Sequence, residues 1–452
     1  MVRDITQDQI LINIIRYLKD GKKKDLQDLL DELHPYDVGV IFESLPEKHR
    51  TRFLTYLTHQ QLANLLQEVG AETQLVILKK LSKEKVAKVM DIMDNDDLAN
   101  LILELSKAEK EEFLSALNDE EAVVVQNIMN YPEETAGRLM TNRFVWIPVH
   151  YTVRDVVAKL RSYAEIAETI NYLYVIDEQK RLIGVLSYRD LILAHKDEKV
   201  EDVMFNRVIS VHVLTDQENV AQVIERYDFL AVPVVEDDHV LAGIITVDDV
   251  IDVVIQEANE DIEKLSASGK DIDFDTKAFV AAYRRLPWLI LLLFIGILSG
   301  SIISQFEETL DKVVALAFFM PMIAGMTGNT GTQSLAVVVR GLITRDLDKK
   351  AVTKLILREL GVGLIIGITC GVLISLIAFF WQGNLELGFV VGISLFCTLI
   401  IGTIAGTVIP LILYRFNVDP AVASGPLITT INDIFSLLIY FSVATAFLTA
   451  LM

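Results

Sequence analysis

The strongest constraint on the fold is that apolar sequence is gathered in the last third of the chain. Five long apolar segments run roughly over Pro287–Gln305, Val313–Val339, Leu360–Trp381, Leu387–Tyr414 and Ala421–Met452. Each is long enough to cross a bilayer as a helix. Charge is divided along the same line. Pro287–Met452 has 9 acidic and 8 basic residues, whereas Met1–Leu286 has 53 acidic and 33 basic. The predicted architecture is an acidic soluble portion followed by a membrane portion, which argues against a wholly soluble enzyme. A net charge of −21 argues against a nucleic-acid binder. A chain of 452 residues has room for two or three domains.

Flanking charge sets the expected orientation. Arg284 and Arg285 precede the first segment, and Arg340, Arg345, Lys349, Lys350, Lys354 and Arg358 follow the second. The loop after the first reads FEETLDK, and the loop after the third carries only Glu386. These charges predict five crossings with the N-terminal domains cytoplasmic and the C-terminus outside. The opening MVRDITQDQI has no apolar core of signal-peptide type. Cys370 and Cys397 both lie in apolar runs and suggest neither a disulfide scaffold nor a cysteine metal site.

Two segments carry irregular sequence. The second holds Pro321, three glycines and the polar group Asn329, Thr330, Thr332, Gln333 and Ser334. Such residues serve either close helix packing or a watery cavity. The fifth holds Asp433, the one ionisable residue well inside an apolar segment. A carboxylate there needs a pore, a cation or a polar partner, and Asn432 or a loop arginine is the structural alternative. A negative residue at that depth implies a path for cations.

The soluble portion contains two repeats. Leu45–Val69 aligns with Leu81–Leu105 at an offset of 36, which predicts stacked helix pairs. Asp94, Asp96 and Asp97 open the last of these helices, either as helix-start acids or as metal ligands. Leu173–Ile192 aligns with Val232–Ile251 at an offset of 59, each copy reading strand, turn, glycine, strand, helix. This pair resembles tandem cystathionine-beta-synthase (CBS) domains over about 133–265, with motifs Ser187-Tyr-Arg-Asp190 and Thr246-Val-Asp-Asp249. The resemblance implies that Ser187, Arg189, Asp190, Thr246 and Asp249 can hold a nucleotide. Capping of the following helix is the alternative for the hydroxyls.

The segment after the second copy has Asp249, Asp252, Glu257, Glu260, Asp261 and Glu263 on one half of a helical wheel. Ile251, Val254, Ile255, Ala258, Ile262 and Leu265 occupy the other half and are expected to be buried. Like charges at this spacing repel, and divalent cations would relieve them. Asp216, Glu218 and Asp228 add further oxygen donors suited to Mg²⁺ or Ca²⁺. The seven histidines show no paired ligand spacing, which disfavours Zn²⁺. No arrangement of nucleophile, base and oxyanion stabiliser stands out.

The order of parts resembles the bacterial MgtE magnesium channels and transporters across essentially the whole chain. The most specific pieces are Gly328–Leu342 with GNTGTQS and VVVRGL, Arg358–Leu364, and Asp419–Asp433 with DPAVASGPLITTIND. The resemblance implies a multidomain membrane protein: an all-α helical-repeat N-domain over 1–132 and α/β tandem CBS domains over 133–247. An acidic connecting helix and linker over 248–283 and a five-helix transmembrane pore domain over 284–452 complete it. It implies a homodimer in the cytoplasmic membrane and its lipid bilayer, with Mg²⁺ as substrate and regulator, no nucleic-acid partner, and room for ATP at the CBS pair. Asp433 matches the pore carboxylate, with Gly425, Thr429 and Asn329 beside the path. Asp419 matches a position that binds metal when the pore is closed. Asp96, Asp216, Glu218, Asp228, Asp249, Asp252, Glu257, Glu260 and Asp261 match regulatory metal positions, while Asn100, Gln60 and Gln61 lack the charge some relatives carry. The implied function is Mg²⁺ uptake shut off when intracellular Mg²⁺ binds between the soluble domains and the connecting helix. The alternatives are a CBS-regulated transporter of another solute and a membrane sensor without transport.

Overall fold

The 36-residue period is realised as two superposable helix pairs. Glu47–Tyr56 and His59–Glu68 form the first, and Lys83–Met90 and Asn95–Leu103 the second. The starts are written in the sequence: Thr58 and Gln61 form a reciprocal capping box, and Ser82 accepts from the Lys85 N–H. Leu62, Leu65 and Leu66 and their counterparts Leu98, Leu101 and Ile102 are all buried in one apolar core that extends from Ile10 to Ile128. This computed structural model describes residues 7–114, 117, 119–164, 167, 169–268, 272, 276–344, 349–416 and 418–451. The chain divides into two units, Met1–Ile255 and Gln256–Met452.

The 59-residue period gives two three-stranded sheets of the same topology. Strands β1 (Phe144–Pro148), β2 (Thr169–Ile176) and β3 (Leu182–Ser187) form one. Strands β4 (Val211–His212), β5 (Ala231–Val235) and β6 (Leu241–Thr246) form the other. In each, the first pair is parallel and the second antiparallel. Gly184 lies opposite Val175 and Gly243 opposite Val234, as the offset requires. A Cβ on Gly243 would lie 2.7 Å from the Thr141 carbonyl oxygen, so the closeness of backbone there requires glycine.

Helix α1 (Val247–Ser266) follows β6. Its apolar half departs from expectation. Val250 and Val253 are buried, and Leu265 packs against a small cluster with Ala421 and Ala423. Ile251, Val254, Ile255 and Ile262 are instead exposed, at 53 to 62% of their surface. The wheel correctly groups them on one face but cannot say that the face is covered within one chain.

The second unit is helical: α2 (Ala278–Gln305), α3 (Met320–Thr344), α4 (Lys349–Gln382), α5 (Leu385–Arg415) and α6 (Gly425–Ala446). Four of these, α2, α4, α5 and α6, are long and apolar enough to cross a membrane. The polar residues of α3 lower its apolar character, though it is 25 residues long. Pro321 is the second residue of α3 and Pro426 the second of α6, where a missing backbone donor has no partner to lose. The overlong last segment divides into a 3-10 turn at Pro420–Val422, α6 and a short helix Leu448–Leu451. Arg345 and most of the linker over 269–275 lie outside the described residues.

Glycine lets these helices touch backbone to backbone. A Cβ on Gly406 of α5 would lie 2.1 Å from the Gly331 carbonyl oxygen of α3, and Gly371 and Gly392 make a similar approach between α4 and α5. Gly406→Ala must push α3 and α5 apart. We expect it to cost about 1–3 kcal/mol and to lower the melting temperature in detergent. Gly361→Ala, where nothing lies within 4 Å of the new methyl group, should leave melting unchanged or raise it slightly.

Candidate functional site

The face of α6 that carries Asp433 is built on four-residue spacing. Gly425, Thr429 and Asp433 lie one helical turn apart, and none of the three is buried. Ser424 caps the helix by accepting from Leu427 N–H. Thr429 donates its hydroxyl back to the Gly425 carbonyl oxygen at 2.9 Å. Asp433 is partly exposed, and among the described residues no side chain makes an ion pair or hydrogen bond with its carboxylate. The structural alternative, a bond to Asn432, is not made. Asn432 is fully buried and its amide donates to the Thr327 carbonyl oxygen at 3.4 Å.

Helix α3 lies against this face. A Cβ on Gly328 would lie 2.8 Å from Thr429 Cγ2, and the Thr332 methyl group lies 3.7 Å from the Cβ position of Gly425. The polar group of α3 divides between its two expected uses. Thr330 is buried and donates back to the Met326 carbonyl oxygen, and Ser334 is buried and donates to Glu359. Asn329 and Gln333 are exposed, one turn apart. Packing therefore uses one side of the helix, and the other side presents amides. Glu359 was missed by sequence reasoning because the third apolar segment was taken to begin at Leu360. Helix α4 in fact starts at Lys349.

The acids of the soluble portion fall into three places. Asp94 starts the helix Asn95–Leu103 without capping it, and its carboxylate instead lies 3.4 Å from Arg143. Asp97 receives the Gln67 amide at 2.7 Å, and Asp249 receives the Thr246 hydroxyl at 2.6 Å. Burial pushes the Asp249 carboxyl up to about 6; the Thr246 bond opposes this, while Asp248 and Asp97 add to it. Burial also raises Asp97, with Asp94 and Asp252 contributing. Asp97 is thus a helix-start acid coupled to Asp249 and Asp252. Asp96 is itself buried.

Asp216 and Asp228 are the two caps of the helix Gln217–Tyr227. Asp216 accepts from the Glu218 N–H, and Asp228 adopts a left-handed φ of 52°. An 11-residue helix separates them by about 16 Å, so Asp228 shares no site with Asp216 and Glu218 in one chain.

Glu260 and Asp419 bracket Lys264, Asp261 lies near this group, and Glu257 acts on Asp261 from the preceding turn. The Lys264 ammonium group lies 2.5 Å from Glu260 and 2.6 Å from Asp419. Burial alone would lower the Lys264 pKa, but the hydrogen bonds to these carboxylates hold it raised. Burial raises Asp261, and the nearby Asp419 carboxylate adds to the shift. The donor set is all oxygen, as a hard cation requires, and one cationic group already sits among these acids. No three His, Cys, Asp or Glu side chains among the described residues converge closely enough to cage a metal alone.

The two Ser/Thr–Asp motifs are used locally. Ser187 accepts from Asp190 N–H and donates to its carboxylate, with Arg189 exposed beside it. Thr246 is buried. The first motif presents groups suited to a ribose and a phosphate; the second is turned inward.

Comparison with known proteins finds matches over three stretches of the chain. A divalent cation transporter family profile, MgtE, matches residues 320–443, the MgtE intracellular N domain matches 33–134, and CBS domains match 136–197 and 200–256. The chain is similar to the magnesium transporter MgtE of Bacillus subtilis (strain 168), with 61% identity over 451 residues and 100% of both chains covered. Its soluble part is similar to the crystal structure of the soluble part of a magnesium transporter, with 38% identity, a TM-score of 0.53, and 56% of this chain and 99% of the other covered. The cytosolic domain of the Mg²⁺ channel MgtE in complex with ATP is also similar, with 36% identity, a TM-score of 0.52, and 54% of this chain and 99% of the other covered.

The raised Asp249 carboxyl makes stability depend on pH. Between its ordinary value of 3.8 and about 6, the folded chain binds more protons than the unfolded one. Stability in chelator should therefore fall as pH rises through this window, by at most about 3 kcal/mol, and level off above it. Thermal melting across pH 4.5–7.5 tests this. Asp249→Asn should remove most of the slope and melt above the parent at neutral pH.

Proposed function

The chain belongs to the MgtE family of magnesium transporters, and on that premise we propose that it carries Mg²⁺ across the cytoplasmic membrane along a path bearing Asp433. It is a transporter and not an enzyme. The observation that carries the reading is a carboxylate at apolar depth with no ion-pair partner among the described residues, on a face with Gly425 and Thr429. Lipid does not tolerate such a group, whereas a hydrated cation matches it. Mg²⁺ sheds water reluctantly, so one carboxylate and nearby carbonyls suit its hydrated form.

In this reading α3 crosses the membrane with the four more apolar helices, its exposed Asn329 and Gln333 facing water rather than lipid. Arg284, Arg285, Arg340, Lys349, Lys350, Lys354 and Arg358 lie on the cytoplasmic side, and Glu307, Glu308 and Glu386 outside. The functional form is a homodimer, which places two Asp433 carboxylates at one path. Two features support it. No residue of α2 is buried, and Gly296 and Gly300 leave open space one turn apart. The exposed residues Ile251, Val254, Ile255 and Ile262 of α1 form an apolar stripe that needs a partner.

Helix α1 is the connecting helix, and its acids form the switch. Asp97, Asp249 and Asp252 would hold regulatory Mg²⁺ in one place, and Glu257, Glu260, Asp261 and Asp419 in another. Bound there, Mg²⁺ supplies the charge that cancels carboxylate repulsion. Without it, Asp97 and Asp249 remain raised in pKa and repel as they ionise, and Lys264 offsets part of the charge around Asp419. ATP binds at the first CBS copy, where Ser187, Arg189 and Asp190 offer groups for ribose and phosphate.

Asp433→Ala should reduce Mg²⁺ flux into liposomes to background, and undiminished flux would return this carboxylate to a structural role. Millimolar Mg²⁺ should slow protease cleavage within 1–265 of the full chain. Identical digestion with chelator would remove the gating scheme.

A further inference from the structure

Helix α4 holds a buried carboxylate that contrasts with Asp433 in burial and in partners. Glu359 is only 5% exposed. One oxygen accepts from Arg358 Nε and Nη2 at 3.1 and 2.8 Å, and the other from the Ser334 hydroxyl at 3.0 Å. Ser334 is equally buried, at 4%. The bond ties α4 to α3.

What Ser334 shares with its own helix gives the bond its meaning. Thr327, Gly331 and Ser334 are spaced by four and three residues and so lie on one face of α3. Thr327 offers its carbonyl oxygen to Asn432 of α6, the residue next to Asp433. The Cβ position of Gly331 lies 2.1 Å from the same Asn432 amide and 2.9 Å from Ile428 Cγ2. Glu359 therefore holds the far end of the face on which the Asp433 segment rests. At Gly331 the helices approach too closely to admit a side chain, so a rotation or slide of α3 bears directly on Asn432.

A buried carboxylate is a poor source of stability, because a packed apolar side chain of similar size often does as well. The best-attested benefit of such a group is a fixed register between elements. We infer that Glu359 is a positioning residue for ion passage: by holding Ser334 it sets the height and rotation of α3 and thereby the placement of the Asp433 carboxylate on α6. The inference rests on the pore reading of Asp433.

The test uses the full-length protein in liposomes, with Mg²⁺ flux measured per incorporated protein and Ca²⁺ as competitor. Glu359→Met removes the acceptor at similar volume, and Ser334→Ala removes only the donor. Each should raise the KM for Mg²⁺ at least about ten-fold and change the Mg²⁺ to Ca²⁺ discrimination, while melting stays near that of the parent. Glu359→Gln, which keeps an acceptor for Ser334, should recover most of the loss. The Glu359→Met, Ser334→Ala double variant should be no worse than either single one. Parental KM and discrimination in both single variants overturn the inference, as does a Gln variant as impaired as Met. Should Glu359→Met fail to insert, Ser334→Ala decides alone. Asp433→Ala run in parallel separates the two ideas. If it abolishes flux while Ser334→Ala and Glu359→Met behave as parent, the positioning role fails and the pore reading stands. If Asp433→Ala transports normally, the pore reading fails first.

Discussion

A carboxylate taken out of water must be met by a cation, a hydrogen-bond donor or retained solvent, because isolating it costs several kcal/mol. The helical unit answers that requirement in two opposite ways. Glu359 is enclosed, with Ser334 and Arg358 on its two oxygens. Asp433 is partly exposed and has no such partner among the described residues. The first arrangement uses the charge inside the protein, in a bond between two helices. The second leaves the charge unmatched among the described residues, which is the ground for the pore proposal.

The same requirement governs the acidic soluble portion. Burial holds Asp97 and Asp249 nearer to protonation than ordinary aspartates, and each relies on a neutral donor, Gln67 or Thr246. Around Asp419 the answer is an internal cation, Lys264, bonded to two carboxylates at once. These acids are therefore kept close although they repel, and their balance responds to any change in local positive charge. That property is what the proposed regulatory role of these acids rests on.

Periodicity made much of the fold legible. The offsets of 36 and 59 residues return as equivalent helix pairs and equivalent sheets, because a repeat buries the same positions each time. The apolar segments return as helices whose ends shift by several residues. Glu359 was lost in such a shift, since hydropathy marks apolar length and not where a helix begins. Pro321 and Pro426 each stand second in a helix, a matter of position that composition does not carry. The wheel of α1 was sound, yet Ile251, Val254, Ile255 and Ile262 remain exposed. Amphipathicity shows which residues share a face and is silent on which chain covers it. Likewise the polar run of α3 could not be divided between packing and water from its composition, because neighbours one turn apart on the helix have different fates.

The backbone crossing of Gly331 and Gly406 also governs where reporter groups can be attached. Any labelled cysteine at that crossing would wedge α3 from α5, so a distance measured from it would describe the damage. Gly325, Gly341 and Gly361 stand on α3 and α4 with clear space around them. Spin labels or fluorophores placed there would follow the motion of these two helices while leaving their contact with α5 and α6 intact.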